Sequence, residues 1–322
     1  MRNSDDHLRS KKIAIIIVSW NVQELVVKCI QSLYTYLPKM DYEIILVDNA
    51  SSDHTVDRVE NLFPDVKMIA NHHNAGYAAA VNQAVKTTTA DFLILANPDI
   101  ELIGNINSLL FHLNKKTIAA VFGRLIYPDH SVQDFIRNFP TFINQFGELL
   151  GISYLLPQLS LICEIVRHDN TKIYNHSHAI DAASGAFFII KREVFVDLEM
   201  FDENFYIYGE ETDLFFRLKK KGFTIIYEPA VDIIHHHGKS TEQNPGIYSE
   251  LQKNRCRFVK KHYSYLYFFL YRYLYLILYD LSRYLYALIK YTYPTNSENR
   301  DKYKKKADKH LSALLWVFRG KF

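Results

Sequence analysis

Cysteine is scarce in this sequence: Cys29, Cys163 and Cys256 are three in 322 residues, odd in number and far apart. That argues against a disulfide framework or a zinc cluster and fits a reducing compartment. Glycine-rich phosphate loops are missing too. No Gly-x-Gly-x-x-Gly follows the first apolar run, and no Gly-x-x-x-x-Gly-Lys-Ser/Thr stretch occurs. Neither a dinucleotide oxidoreductase nor a P-loop NTPase is therefore indicated. The segment Met1 to Lys12 is polar, without the apolar core of a secretory leader, so a cytoplasmic location is expected. No internal repeat or low-complexity stretch precedes residue 260.

What is present is a chain that can build a proper core, with 48% hydrophobic and 23% charged residues. Its formal net charge of +3 hides an asymmetry. Residues 1–250 hold 22 Lys and Arg against 31 Asp and Glu, a net of −9, whereas residues 251–322 hold 16 against 4, a net of +12. An acidic body with a basic tail points to a separate partner for the tail, anionic lipid and nucleic acid being the usual ones.

Ile13-Ala-Ile-Ile-Ile-Val18 is a continuous, largely β-branched run, which predicts a strand buried on both faces of a parallel sheet. Leu25, Val26, Cys29, Ile30 and Leu33 follow with helical spacing, stopped by Pro38. The pattern then predicts strands over Tyr42–Val47, Val66–Ile69 and Asp91–Ala96, with helices over Thr55–Phe63 and Ala78–Lys86. Further on, Ile180 to Ile190 reads as a strand interrupted at Ser184-Gly185-Ala186, and another strand leads into His235-His236-His237-Gly238-Lys239-Ser240. Alternation of this kind means an α/β fold with a Rossmann-like, mostly parallel sheet. The polar residues fall just past the strand C-termini, where open α/β sheets bind ligands.

Asp48 ends the second strand, where its carboxylate can accept hydrogen bonds from a nucleobase or ribose, or cap a helix, as Asp53 is expected to do. In Asn74-Ala-Gly76-Tyr-Ala-Ala-Ala80, small residues would let backbone approach a ligand, with Asn82 one turn on; an alanine-rich packing helix is the competing reading. Asp99 sits at a strand end, suited to Mg²⁺ or Mn²⁺, hard ions that prefer oxygen ligands. It also fits an ordinary Asn-Pro-Asp turn. Gly185 inside a strand marks close approach of a ligand. Glu210, Glu211 and Asp213 would favour a helix N-terminus, or supply a general base with Asp213 orienting it. His235 is a metal-ligand candidate.

Taken together, Ile16-Ile-Val-Ser-Trp-Asn21, Val47-Asp-Asn-Ala-Ser-Ser-Asp53, Asn74-Ala-Gly-Tyr77 with Asn82, Asn97-Pro-Asp99, Ser184-Gly-Ala186, Gly209-Glu-Glu-Thr-Asp-Leu214 and His235 resemble the family 2 glycosyltransferases of GT-A fold over roughly residues 12–250. Ser131 to Pro140, with Arg137 and Phe139-Pro140, is similar to a segment of the rhamnosyltransferase branch. The resemblance implies an inverting transfer from a dTDP- or UDP-sugar to a lipid-linked or surface-glycan acceptor in cell-envelope polysaccharide synthesis. It would put Ser19, Asn21, Asp48 and Asn49 on the nucleoside, and Asn74, Gly76 and Asn82 near ribose and sugar. Asn97, Arg137, Ser184 and Gly185 would lie on the nucleotide-sugar as well. Asp99 and His235 would hold a divalent cation (Mg²⁺ or Mn²⁺), and Glu211, with Glu210 and Asp213, would serve catalysis. The Asp-x-Asp metal motif is reduced here to Asn97-Pro98-Asp99, and the Asp expected as base is Glu211. An inactive nucleotide-sugar-binding component of a membrane glycan-assembly complex, and a nucleotidyltransferase, are the alternatives.

The expected layout is a polar tail (1–12), a GT-A domain (13–250), a Tyr-rich amphipathic helical extension (251–294) and a basic tail (295–322). From Leu266 the residues Phe269, Leu270, Tyr273, Leu274, Ile277, Leu278, Leu281, Leu285, Leu288 and Ile289 trace one helical stripe, opposite Arg272, Tyr275, Tyr279, Arg283, Tyr286 and Lys290. Eleven tyrosines lie between Tyr263 and Tyr293. Arg272, Asp280 and Arg283 disfavour a spanning helix, and the pattern suits a bilayer interface across 264–309, on the inner face of the membrane. Lys302, Lys304, Lys305, Lys306 and Lys309 would add attraction to anionic lipid. Packing on the catalytic domain or on a second copy of the chain is the competing use of this helix. Nucleic acid is not expected, since no recognisable module accompanies the charge.

Overall fold

The computed structural model describes residues 11–38, 40–163, 165–166, 172–236, 247–293 and 297–319. The start of the polar tail, and the His237-Gly238-Lys239-Ser240 end of the histidine run, lie outside them. The chain forms two compact units: Met1–Phe139 with Ile165–Gln243, and Pro140–Glu164 with Asn244–Phe322.

In the first unit the strands are β1 (Ile13–Ser19), β2 (Tyr42–Asp48), β3 (Lys67–Ala70), β4 (Phe92–Ala96), β5 (Ile100–Leu102), β6 (Ile118–Ile126), β7 (Ile136–Arg137), β8 (His178–Ile180), β9 (Ala182–Ala183), β10 (Phe187–Lys191) and β11 (Thr224–His235). Nine of them make one sheet in the order β3-β2-β1-β4-β10-β6-β11-β5, with β8 also on β11, while β7 and β9 pair separately. Pairing is parallel across β3-β2-β1-β4 and β6-β11, and antiparallel where β10, β5 and β8 join. The sequence reading of a mostly parallel α/β sheet holds. Every residue of β1 is buried, as its unbroken apolar run requires. The interrupted strand proves to be three short ones, because the Ser184-Gly185-Ala186 step turns the chain before β10.

Two packing features position the site. Helix Glu210–Lys220 is pinned to the sheet by Phe215, edge-on to Phe122 and Phe188 with ring centroids 5.3 Å away in both cases. At its other end, Gly76 has φ +85°, and a Cβ there would lie 2.7 Å from both the ring and the carbonyl oxygen of Tyr206. Only glycine lets those two loops touch.

The second unit is helical. Tyr265–Leu270, a π-helical turn over Tyr271–Tyr275, and Leu276–Thr292 follow one another, with Ser297–Arg319 beyond. The stretch expected as a basic tail thus contains a helix, which runs antiparallel to its predecessor. Arg272 Nη2 donates to the Val317 carbonyl (3.1 Å), Asp280 pairs with His310 (2.8 Å), and the rings of Tyr286 and Tyr303 meet at 6.3 Å. The 140–164 stretch, read from sequence as part of the GT-A domain, folds with these helices instead. Among the described residues no helix is long and apolar enough to cross a membrane.

Candidate active site

The loops after β1 and β2 interlock through hydrogen bonds. Asp48 is buried, and its Oδ1 accepts from the hydroxyls of Ser19 (2.9 Å) and Ser51 (2.6 Å), while Oδ2 accepts from the Ser51 N–H (2.8 Å). Asn49, also buried, donates to the Gly76 carbonyl and accepts from Asn71. Asn21 is exposed, in the left-handed region, with its Oδ1 accepting from Ser52. The helix cap expected at Asp53 falls to His54 instead, the N-cap of the following helix, and Asp53, one residue earlier, accepts from the Thr55 N–H and hydroxyl and from the Gln23 N–H. Ser19, Asp48 and Asn49 therefore shape a rigid rim, and Asn21 is the member of the group facing solvent.

Asn74 accepts from the Gly76 N–H at 3.0 Å and so fixes the turn that presses Gly76 against Tyr206. Asn82 is buried, donating to the Phe201 carbonyl and to Glu203 and accepting from the Phe201 N–H. Its side chain braces the turn that leads to Glu210.

The Asn97-Pro98-Asp99 loop is stitched to the glycine step, since the Asn97 N–H donates to the Ala186 carbonyl at 2.8 Å. Asp99 is 2% exposed, and its Oδ1 has no hydrogen-bond partner. Pairing of β5 with β11 brings His235 opposite Ile100, placing His235 Nε2 3.6 Å from that oxygen. Gln133 sets the ring: its amide nitrogen donates to the carbonyls of Ile126 (3.1 Å) and His235 (2.7 Å), leaving Oε1 toward Nδ1 at 2.9 Å. Nδ1 then carries the proton and Nε2 keeps a lone pair facing the Asp99 carboxylate. A buried carboxylate oxygen without a hydrogen bond, beside the acceptor nitrogen of an imidazole, suits a divalent cation. Among the described residues no group of three or more such ligands occurs, and Asp99 and His235 are the two donors they bring together here.

Glu210 and Glu211 start their helix after two left-handed residues, Tyr208 (φ 65°) and Gly209 (φ 100°). Both carboxylates, with Asp213, lie in the first turn, where the helix dipole favours them. Glu211 accepts from the Gly209 N–H at 3.2 Å, and its side chain lies where a Cβ on Gly185 would sit 3.6 Å away. A β-carbon at 185 would stand in ordinary van der Waals contact with the Glu211 side chain. Burial, then the charge of Glu211, raises the Glu210 pKa well above the usual carboxylate range. Burial also raises that of Glu211, with the backbone N–H groups and the charge of Arg137 pulling the other way. The pair is arranged to hold one proton on Glu210 and to leave Glu211 as the basic member. Arg137 itself donates to the carbonyls of Asp134 and Ile136. Asp213 is fully buried and accepts from Arg217 Nε at 2.8 Å, and Arg217 in turn donates to the carbonyls of Leu198 and Met200. That chain of bonds locks the helix to the turn held by Asn82.

Comparison with known proteins gives this arrangement its family. The family model described as "Glycosyl transferase family 2" matches residues 14–195, more than half of the chain. The chain belongs to that family. Among curated relatives, the N-acetylglucosaminyl-diphospho-decaprenol L-rhamnosyltransferase of Mycobacterium tuberculosis is 28% identical over 215 residues, covering 63% of this chain and 69% of that protein. Rhamnosyltransferase WbbL of Escherichia coli K12 is 26% identical over 242 residues, 70% of this chain and 84% of WbbL. Among solved structures, mannosyltransferase PcManGT from Pyrobaculum calidifontis, in complex with GDP-Man and Mn²⁺, aligns with TM-score 0.61 and 13% identity over 97% of this chain and 88% of that one. GalNAc-T7 with UDP, GalNAc and Mn²⁺ aligns with TM-score 0.58 and 18% identity over 96% of this chain, which spans 56% of that protein. At such identities the two structures establish the fold, which is GT-A.

Two residues of this glycosyltransferase escaped the sequence reading. Gln133 lay within the quoted 131–140 segment, but nothing in the sequence ties it to a histidine 102 positions away. Tyr77 follows Gly76 and is half-buried, with its enclosed hydroxyl lacking a hydrogen-bond partner, and desolvation and then the charges of Glu210 and Glu211 raise its pKa. An aromatic at a helix start carries no such signal in sequence.

Proposed function

We propose that this glycosyltransferase moves a deoxysugar of the rhamnose type from a dTDP- or UDP-linked donor to a lipid-linked or growing surface-glycan acceptor. The observation that carries the reading is Glu211, a half-buried carboxylate packed against Gly185, next to Glu210, whose pKa burial raises well above the usual range. Glu211 accepts the proton of the acceptor hydroxyl as that oxygen attacks the anomeric carbon from the face opposite the diphosphate, and one displacement inverts the centre. Such base catalysis contributes roughly 10²–10⁴-fold. Asn74 and Gly76 bound the sugar side, and Asn21 with the rim of Ser19, Asp48 and Asn49 bounds the nucleoside side. Asp99 and His235 would hold Mg²⁺ or Mn²⁺, which supplies charge neutralisation for the departing diphosphate. The names of the rhamnosyltransferase relatives support the sugar, and that of the mycobacterial one supports a lipid-linked acceptor, which would put the work at the inner face of a membrane.

Single-turnover assays with a panel of nucleotide-sugars test the reading. Glu211→Gln is expected to lower transfer by roughly 10²–10⁴-fold while donor binding persists. A wild type that binds donor and transfers nothing, even from the best of the panel, would instead mean a binding component.

A further inference from the structure

Part of the second unit buries polar groups and leaves a leucine stripe outside. The helices Leu276–Thr292 and Ser297–Arg319 bury polar groups against each other: Asp280 is 0% and His310 9% exposed, and Arg272 is 7%. Meanwhile Leu274, Leu278, Leu281, Leu285 and Ile289 face outward, each at least 40% exposed. Water would favour the opposite rotation of the helix, with the leucine stripe against its neighbour. The Asp280–His310 pair, the Arg272–Val317 bond and the Tyr286–Tyr303 contact hold the stripe outward.

A second stretch, distant in sequence, does the same. Helix Phe142–Leu149 is tied to the C-terminal helices by the Tyr267 hydroxyl, which donates to the Pro140 carbonyl (3.1 Å), and by Arg283, which donates to that of Glu148 (3.4 Å). Between Pro140 and Glu164 the charged residues are Glu148 and Glu164 alone. Ile143 is 69% and Leu155 75% exposed, and Leu150, Leu156, Leu159 and Ile162 about half. Of 31 large apolar side chains exposed among the described residues, 23 belong to this unit, which holds about a third of the chain. Exposure on that scale marks an interaction surface.

We propose that the second unit is a lipid-docking surface with two arms, the 140–164 stretch and the outward stripe of the C-terminal helices, that lies on an anionic bilayer. The inference rests on the membrane-face reading above and names the atoms that make it. Charge selects the occupant: residues 251–322 carry a net +12, and Lys302, Lys304, Lys305 and Lys306 are exposed on the helix beside the stripe. A second copy would bring the same charge to the same face, whereas an anionic lipid surface complements it. Tyrosines flanking leucines are the side chains that settle at headgroup depth.

Flotation of the full chain with phosphatidylglycerol vesicles and with phosphatidylcholine vesicles tests this. The wild type is expected to float with the former and much less with the latter. Leu155→Ser with Leu156→Ser and Leu159→Ser, and separately Leu278→Ser with Leu285→Ser, are each expected to reduce the bound fraction by about tenfold. Donor hydrolysis in solution should stay unchanged in both, which reports intact folding. A wild type that floats while the 155/156/159 variant floats equally well overturns the two-arm surface and leaves the membrane-face reading standing. A wild type that binds neither vesicle removes both. Sedimentation equilibrium showing a dimer that these substitutions dissociate would assign the surface to a second copy and overturn the proposal.

Discussion

Gln133 helps to orient His235, and replacing it separates metal binding from folding. Gln133 is 3% exposed and makes three hydrogen bonds, to the Ile126 and His235 carbonyls and to His235 Nδ1. In Gln133→Leu all three are lost and two buried carbonyls are left without those donors. At about 1–3 kcal/mol for each unsatisfied buried group, partly relieved by relaxation, the expected destabilisation is about 2–4 kcal/mol. The imidazole also loses the acceptor that fixes its Nδ1–H tautomer, so Nε2 no longer points a lone pair at Asp99 by default. Removal of such a supporting group typically costs 10–100-fold in metal affinity. Gln133→Glu keeps an acceptor for Nδ1–H but not the donors for the two carbonyls, so it should be as unstable as the leucine variant and yet retain Mn²⁺. Electron paramagnetic resonance of free Mn²⁺, titrated with protein and nucleoside diphosphate, reads affinity, and thermal melts of the same samples read stability. If both variants lost Mn²⁺ affinity in step with stability, or if Gln133→Leu kept full affinity, the argument from the tautomer would be refuted.

Three further outcomes follow from the same geometry. The folded-state pKa of Glu210 is raised above its ordinary value of 4.5, so the wild type is stabilised by its proton at low pH and loses that contribution as pH rises through the folded value. Melting temperatures of Glu210→Gln minus wild type should therefore grow from about pH 4.5 upward and then level off, and a difference independent of pH would be evidence against a protonated Glu210. Gly76→Ala forces a β-carbon to 2.7 Å from the Tyr206 carbonyl at φ +85°, which should cost about 1–3 kcal/mol and weaken donor binding in isothermal titration; unchanged binding would detach that loop from the donor. Asp213→Asn removes the carboxylate of a buried ion pair and should destabilise the unit by about 3–5 kcal/mol in urea unfolding, a large share of a typical 5–15 kcal/mol. A loss under about 1 kcal/mol would mean that Arg217 is held by its two carbonyls alone.

Much of the first unit was legible in the sequence because its elements announce themselves locally. The run Ile13 to Val18 reads as a strand buried on both faces, and the polar clusters after β1, β2 and β4 point to the C-terminal edge of the sheet as the candidate ligand end. Proximity was the part that stayed hidden. That Gly185 leaves room for Glu211, that His235 meets Asp99 across the β5–β11 pairing, and that Asn82 braces the Phe201 turn are contacts between residues 26 to 136 positions apart, which no local pattern encodes.

In the second unit the division falls differently. Periodicity alone determined that an amphipathic helix would run through Leu278 and Leu285, and composition alone determined that the chain after residue 250 is basic. Which face of that helix is covered depends on its partner, and the partner was a helix within the stretch read as a basic tail, meeting it through Asp280–His310 and Arg272–Val317. A hydrophobic stripe fixes what a helix can bury, while buried hydrogen bonds formed only on packing fix what it does bury.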